Sequence, residues 1–351
     1  MKTCIEYVWI GGNNELRSKT KVITLTPKLA LDDIPEWNYD GSSTNQASGE
    51  DSEIIIKPRC LFNDPFRCGH NYMVMCDTYH PNGEPHKTNH RKWASNVFNK
   101  KLDEEPWFGL EQEYFLINKK KERINDHLKP WFLGFGSNRD KYLEYPTPQG
   151  QYYCSAGAEN SFGRNVSEEH LHCCIKAGIK IAGINGEVAP GQWEFQIGPC
   201  TGIEEGDHLW MARYILLRVA ERHNIVVNFE PKPFKGDWNG SGCHTNYSTK
   251  QMREDNGLKF INQAIKKLEK KHDKHMKNYG SGNEERMTGE HETASFNKFT
   301  YDVANRGCSI RIGNDTHKNE KGYFEDRRPS SNCDPYLVTG MIFKTTVLVD
   351  N

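Results

Sequence analysis

From Pro106 to Ile117 the chain reads Pro-Trp-Phe-Gly-Leu-Glu-Gln-Glu-Tyr-Phe-Leu-Ile, apolar except at positions 111 to 113. The run is rich in aromatic and aliphatic residues and too short and glycine-broken to favour a helix, so it predicts a strand. Side chains two apart on a strand share a face. Glu111 and Glu113 therefore point one way while Leu110, Tyr114 and Leu116 line the other. Farther along, Ala189-Pro-Gly-Gln192 has proline and glycine at the central positions of a type II turn and predicts a hairpin. Counting outward from Pro190-Gly191 sets Val188 against Trp193 and Glu187 against Glu194.

Alternating runs at Tyr7 to Ile10, Lys21 to Leu25 and Ile54 to Ile56 predict that residues 1 to 80 are mainly β. A polar stretch from Asn38 to Asp51 interrupts them and reads as a functional loop. Helices are predicted for Asn89 to Lys101, for Val166 to Gly178 with a Ser167-Glu-Glu start, and for Asp207 to Asn224 with Asp207 as cap. Gly257 to Tyr279 predicts a lysine-rich amphipathic helix carrying Ile261, Ile265 and Leu268. The turn-rich His80-Pro-Asn-Gly-Glu-Pro85 marks a change of character, dividing a small domain of residues 1–84 from a larger one of 85–351. The order of elements in the larger one predicts an α+β fold on an antiparallel or mixed sheet.

The length of 351 residues suits two unequal domains. A formal net charge of −1 provides no basic field, so nothing in the electrostatics supports nucleic-acid binding. No stretch approaches a membrane span, and Met1-Lys-Thr-Cys-Ile-Glu-Tyr7 has no secretory apolar region, which sets the expectation of a soluble, cytoplasmic protein. The 11 cysteines include Cys173-Cys174 but no C-x-x-C pair, so a reducing compartment is expected rather than a zinc module or disulfide framework.

Each glutamate pair alone could be a solvated edge feature. Two pairs set among Trp, Phe and Ile point to a shared cation, because a buried carboxylate needs a counter-charge. His244 lies in the glycine-rich Asn239-Gly-Ser-Gly-Cys-His-Thr-Asn246, where backbone and ligand can approach closely. Arg306, Arg311 and Arg327 follow, with Glu325 two residues from the last, and arginine forks recognise carboxylates and phosphates. Five glutamates, a histidine and several arginines are the components of a two-metal phosphoryl-transfer site, with oxygen ligands favouring Mg2+ or Mn2+. No Walker loop is present. A two-metal hydrolase satisfies the same set.

Several segments resemble glutamine synthetases of the eukaryotic type, in that family's order from about Ile5 onward. They are Trp37-Asn-Tyr-Asp-Gly-Ser-Ser-Thr44, Gly109-Leu-Glu-Gln-Glu-Tyr114, Gln192-Trp-Glu-Phe-Gln-Ile-Gly-Pro199, Gly242-Cys-His-Thr-Asn246, Gly289-Glu-His-Glu-Thr293 and Gly322-Tyr-Phe-Glu-Asp-Arg-Arg-Pro-Ser330. The resemblance implies a β-grasp-like first domain, a catalytic domain with a curved sheet, and ATP-dependent synthesis of L-glutamine from L-glutamate and ammonia through γ-glutamyl phosphate. It implies that Glu113, Glu187 and Glu194 hold one metal and Glu111, His244 and Glu325 the other. Arg306 and Arg327 would bind glutamate and the transferring phosphoryl group, with Ser43, Glu111, Glu187, Gly240, His244 and Arg286 also on the substrate side. Glu113, Pro199, Asn246, Ser248, Arg253, Arg311 and Tyr323 would face the nucleotide. Asp40 would take a proton from ammonium, and Glu292 would close over the site.

The same resemblance implies self-association into rings, as a decamer of two pentamers, with Asp40 of one subunit reaching its neighbour's site. The chain departs from the family in a short N-terminal arm, a short loop from Ser137 to Pro148, and Gly313 in place of proline. A ligase for a different amine would keep the metal, ATP and arginine groups, and a non-enzymatic relative would lose metal ligands. The presence of Asp40, Ser43 and Glu292 favours ammonia.

Overall fold

Two β-sheets organise the chain in a computed structural model that describes residues 2–24, 29–124, 127–134 and 150–349, with the backbone alone for 119–124 and 127–132. The first comprises β1 (Lys2–Ile10), β2 (Leu16–Thr24), β3 (Trp37–Asp40), β4 (Glu53–Asn63) and β5 (Tyr72–Tyr79), in the order β2-β1-β5-β4-β3. β1 and β5 run parallel and the other neighbours antiparallel. Helix α1 (His90–Phe98) follows, capped by the Asn89 side chain, which accepts from the Lys92 N–H.

The second sheet is threaded with helices: β6 (Trp107–Ile124), β7 (His127–Phe132), α2 (Arg164–Ala177), β8 (Ile181–Gly186), β9 (Gln192–Thr201), α3 (Glu204–Arg222), β10 (Ile225–Asn228) and β11 (Cys243–Ser248). It continues through α4 (Lys250–Arg253), α5 (Leu258–Glu269), α6 (His272–Met276), α7 (Asn283–Arg286), β12 (Tyr301–Val303), β13 (Ile310–Ile312), α8 (Asn314–Asn319), β14 (Phe324–Asp326) and α9 (Pro335–Phe343). The strand order is β12-β13-β14-β11-β6-β9-β8, with β7 and β10 also pairing to β6. The fold is α+β with a mixed sheet, since β12 and β13 are parallel.

The period-two pattern of β6 decides which side becomes core. Phe108, Leu110, Tyr114 and Leu116 are buried in one cluster with Leu209, Ile215, Leu216 and Val219 of α3 and Ile342 of α9. Val8, Ile10, Phe62, Met73 and Met75 of the first sheet join that same cluster. Ile5, Tyr7, Trp9, Ile56 and Val74 form a separate core on the sheet's other face. The odd-numbered face of β6 is left to carry its carboxylates.

Several expectations shift on contact with the structure. The Pro190-Gly191 turn forms, with the Gln192 N–H bonded to the Ala189 carbonyl at 3.2 Å and Gly191 at φ 68°. The hairpin register differs, however: Asn185 lies opposite Glu194, and the Glu187 N–H donates to the Gln192 carbonyl at 2.8 Å. The loop is wider than a tight turn, so the ladder slips by two and keeps Glu187 on the same face. Part of the polar 38–51 stretch is strand β3 and a 3-10 turn over Gly41–Thr44. The lysine-rich helix breaks into α5 and α6, and α2 starts at Arg164, leaving Ser167 buried inside it, where its hydroxyl accepts from Tyr114. Gly313, at φ −63° and ψ 150° with open space around it, has a backbone that proline would also adopt. Leu25 and the 137–148 loop lie outside the described residues.

Asp207 is not a cap. α3 starts at Glu204, and the buried Asp207 carboxylate accepts from Arg91 Nε and Nη2, both at 2.7 Å, and from the Tyr336 hydroxyl at 2.5 Å. The pair ties α1 to α3 and α9. Losing a cap costs about 1 kcal/mol, whereas removing one member of a buried pair costs about 3–5 kcal/mol. Asp207→Ala should therefore destabilise by the larger amount in denaturant unfolding; a loss near the smaller one would mean that the pair contributes little.

Candidate active site

Strand register concentrates the polar side chains of five strands on one face. Glu113 pairs directly with Glu194, Glu111 with Gln196, His244 with Glu111, Asn246 with Glu325, and Arg311 with Glu325. The result is a cavity of about 400 Å³ lined by Glu111, Glu113, Glu187, Glu194 and His244, with Arg306, Arg311 and Arg327 beside them. Two triads emerge, Glu113–Glu187–Glu194 and Glu111–His244–Glu325, each offering ligand atoms within 4.8 Å of one another.

In the first triad the partners are amides and backbone N–H groups. Glu113 Oε2 accepts from the Gly242 N–H at 2.8 Å and from Gln192 Nε2 at 3.2 Å. Glu187 accepts from Asn185 Nδ2 at 3.0 Å and from the Val188 N–H at 3.2 Å. Glu194 accepts from Gln196, whose amide also donates to Asn185 at 2.6 Å. Among the described residues no lysine or arginine lies within ion-pair distance of these three carboxylates. Burial raises the pKa of all three, and repulsion among the glutamates raises them further. For Glu113 the Gly242 N–H, Arg286 and Arg327 pull the other way.

The second triad already has cations on one side. Glu325 accepts from Arg311 Nε, and from Arg327 Nη1 at 2.7 Å. His244 Nδ1 sits 3.4 Å from Glu325 Oε1 and 3.6 Å from Glu111 Oε2. Burial, then Arg327, pushes its pKa well below the usual value, leaving a neutral imidazole with a lone pair to give. Gly242 permits this packing, because a Cβ there would lie 2.9 Å from His244 Nε2.

Other predicted residues surround the cavity or lie apart from it. Glu292 pairs with Arg306 at 3.0 Å, and its carbonyl accepts from Arg327 Nη2 at 3.1 Å. Arg286 is buried and bonded to the carbonyls of Arg327, Arg328 and Pro329, so it braces the strand end rather than lining the cavity. Gly240 gives its carbonyl to Gln192 at 3.0 Å. Asn246 donates to Glu111 at 2.8 Å, Ser248 accepts from Arg253 at 3.0 Å, and Arg253 lies over the exposed Trp107 ring at 3.8 Å. Tyr323 is exposed. Pro199 follows Gly198 on β9 and is not among the residues lining the cavity.

The exposed Asp40 bonds to the Ser42 N–H and hydroxyl and to the Ser43 hydroxyl, at 3.0, 2.6 and 3.0 Å. No contact among the described residues joins Asp40 or Ser43 to the cavity. Sequence reasoning missed Gln192, Gln196, Asn185 and Tyr153. The first two were accessible by counting in twos from Glu194, and Asn185 by the correct hairpin register. Half-exposed Tyr153 gave no signal.

Buried carboxylates with only neutral partners fit a divalent cation, as does a neutral histidine between two more. In the unfolded chain these carboxyls titrate near pH 4, and in the fold they retain protons to higher pH. The folded state thus binds more protons, and its stability advantage, complete at acid pH, is lost as pH rises through the raised values. In chelator the melting temperature should fall from about pH 4.5, where the unfolded carboxyls ionise, up to about pH 10, the highest raised value, and saturating Mg2+ or Mn2+ should flatten the fall by replacing the protons. Identical profiles with and without metal would rule out this site.

A family model described as "Glutamine synthetase, catalytic domain" matches residues 87–269. "Glutamine synthetase, chloroplastic" of Brassica napus is 55% identical over 346 residues, covering 98% of this chain and 78% of that one. "Glutamine synthetase cytosolic isozyme" of Medicago sativa is 55% identical over 350 residues, covering 99% and 94%. A cryo-EM structure of Plasmodium falciparum glutamine synthetase superposes with a TM-score of 0.76 at 17% identity, over 98% of this chain and 71% of that one, a likeness of fold. With more than half its sequence shared over nearly its full length, the chain belongs to the glutamine synthetase family.

Proposed function

We propose that the acidic cavity is where ammonia is joined to L-glutamate through γ-glutamyl phosphate, with ATP as phosphoryl donor and ADP and phosphate as products. As a member of this family the chain is an ATP-dependent ligase forming glutamine. The observation that carries the assignment of the site is two cation-ready triads side by side, flanked by three arginines, in one cavity. Glu113, Glu187 and Glu194 would hold one Mg2+ or Mn2+, and Glu111, His244 and Glu325 the other. Bound there, the metals would neutralise phosphate oxygens and polarise the transferring phosphoryl group.

The protein's own groups do the remaining work. Arg327 spends three N–H groups on Glu325, the Arg306 carbonyl and the Glu292 carbonyl, which fixes its plane and leaves two for an oxyanion. Half-exposed Arg306 holds Glu292, a contact that a substrate carboxylate can replace. Asn246, Ser248, Arg253 and Tyr323 suit the nucleotide, with Arg311 and Pro199 assigned to the same side. His291 and Glu292 take left-handed backbone, φ 51° and 62°, strain that suits a loop closing over the site. Closure would protect an acyl phosphate from water.

Ammonium must lose a proton before it attacks. Hydrogen bonds from Ser42 and then Ser43 lower the pKa of Asp40, so its carboxylate stays ionised to hold the cation and receive that proton as attack proceeds. Its contacts within its own chain are local, which leaves Asp40 and Ser43 available to a neighbour's site, and the assembly we propose is a ring, a decamer of two pentamers. We further propose that residues 1–84 and 85–351 are the two domains, and that the protein works in the cytoplasm, a reducing compartment in keeping with its 11 free cysteines.

Phosphate release from ATP in the presence of glutamate tests the reaction. Ammonium should support turnover and methylamine or ethylamine should not; preference for an alkylamine would transfer the assignment to a different amine ligase. The shared site has its own test. Asp40→Ala and Glu194→Gln should each be inactive as pure rings, whereas mixed rings should recover roughly a quarter of wild-type sites if each site draws on two subunits. Mixed rings, verified by mass, that stay as inactive as their parents would confine the site to one chain.

A further inference from the structure

A second cavity, of about 580 Å³, lies among the segment before α1, α1 itself, α6 and α9, and its chemistry is the reverse of the acidic one. Lys87, Lys92, Lys271, Lys274 and Lys344 line it, and no aspartate or glutamate does. Elsewhere Lys57, Lys180, Lys250 and Lys321 pair with carboxylates while most lysines do not, so what sets the recess apart is the convergence of five on one cavity. Among the described residues none of the five cavity lysines has a carboxylate partner. With a net charge of −1, the chain has no overall excess of base to account for this. Five ammonium groups drawn from three separate stretches gather positive charge around one recess, which a bound anion would neutralise.

The recess has a fixed wall behind lysines of which four, Lys87, Lys271, Lys274 and Lys344, are exposed. Its volume is that of a small-molecule pocket. Trp93 forms part of the wall, and His86 is buried and fixed by the Gln46 carbonyl at 2.9 Å and the Thr88 hydroxyl at 2.8 Å. No arginine lines it, so the planar fork that selects carboxylates is missing, and the recognition is by point charges, as phosphates accept. We propose that this recess binds a small polyanion with two or more linked phosphate groups, at a site separate from the acidic cavity.

Calorimetric titration of the assembled protein with tripolyphosphate, in metal-free buffer with chelator, tests the site. Saturable binding should weaken about tenfold or more in Lys271→Glu/Lys274→Glu, should persist in the acidic-cavity variant Arg306→Ala, and should weaken with salt. Should the double variant melt early, the exposed Lys344→Gln alone should still weaken binding. Absence of binding, insensitivity to the lysine changes, or loss in Arg306→Ala would overturn the proposal, as would citrate binding as tightly as tripolyphosphate. Metal-free ATP is the arm that separates sources: competition points to a nucleotide's phosphates, and its absence to free condensed phosphate.

Discussion

Glu113 and Glu194 stand directly across from each other on paired strands, an arrangement that like charges oppose. Much of the structure around the cavity follows from holding that pair in place. Glu111 and Glu187 add charge to the same face, and burial denies Glu113, Glu187 and Glu194 the screening of bulk water. Neutral amides satisfy the oxygens without cancelling the charge. Gln192, Gln196 and Asn185 thereby fix three carboxylates while leaving them electrically open to a cation.

The reverse face of the same strand shows how the geometry is made stiff. Gln112, between the two glutamates, points away from the cavity into the buried Arg213, which donates from Nε at 2.8 Å. Arg213 also donates to the carbonyls of Cys333 and Ser331, at 2.8 and 3.0 Å. One guanidinium from α3 thus links the centre of β6 to the segment after β14. Arg286 does the same for the carbonyls of residues 327 to 329. Neither arginine lines the cavity, but both govern where Glu113 and Arg327 can be. A carboxylate cluster on a compliant sheet would spread to relieve its own repulsion, and these two ties oppose that.

How much of this was legible in the sequence depended on how local the governing interaction was. Period-two alternation around Glu111 and Glu113 reported both faces of β6, because it arises within one strand. The hairpin turn was equally legible, since Pro190-Gly191 sets its own backbone. Register was not: whether Glu187 or Asn185 faces Glu194 depends on a loop width that proline and glycine alone leave undetermined. Asp207 carried the signal of a cap, and only the remote Arg91 and Tyr336 make it a buried anchor. That Arg306, Arg311 and Arg327 belong with the carboxylates was suggested by their chemistry, but where each sits was not legible, because strand pairing across more than 200 residues of chain places them.

On the two proposals together, the cavities would take up phosphate under opposite conditions. The acidic face cannot by itself attract a polyanion; its carboxylates repel one until cations intervene, and its arginines are partly engaged with Glu325 and Glu292. The lysine-lined recess has the opposite bias and needs no metal to exert it. Phosphate binding would thus depend on divalent cation at one site and be independent of it at the other. Free metal concentration would shift a phosphorylated ligand between them without any change in the fold.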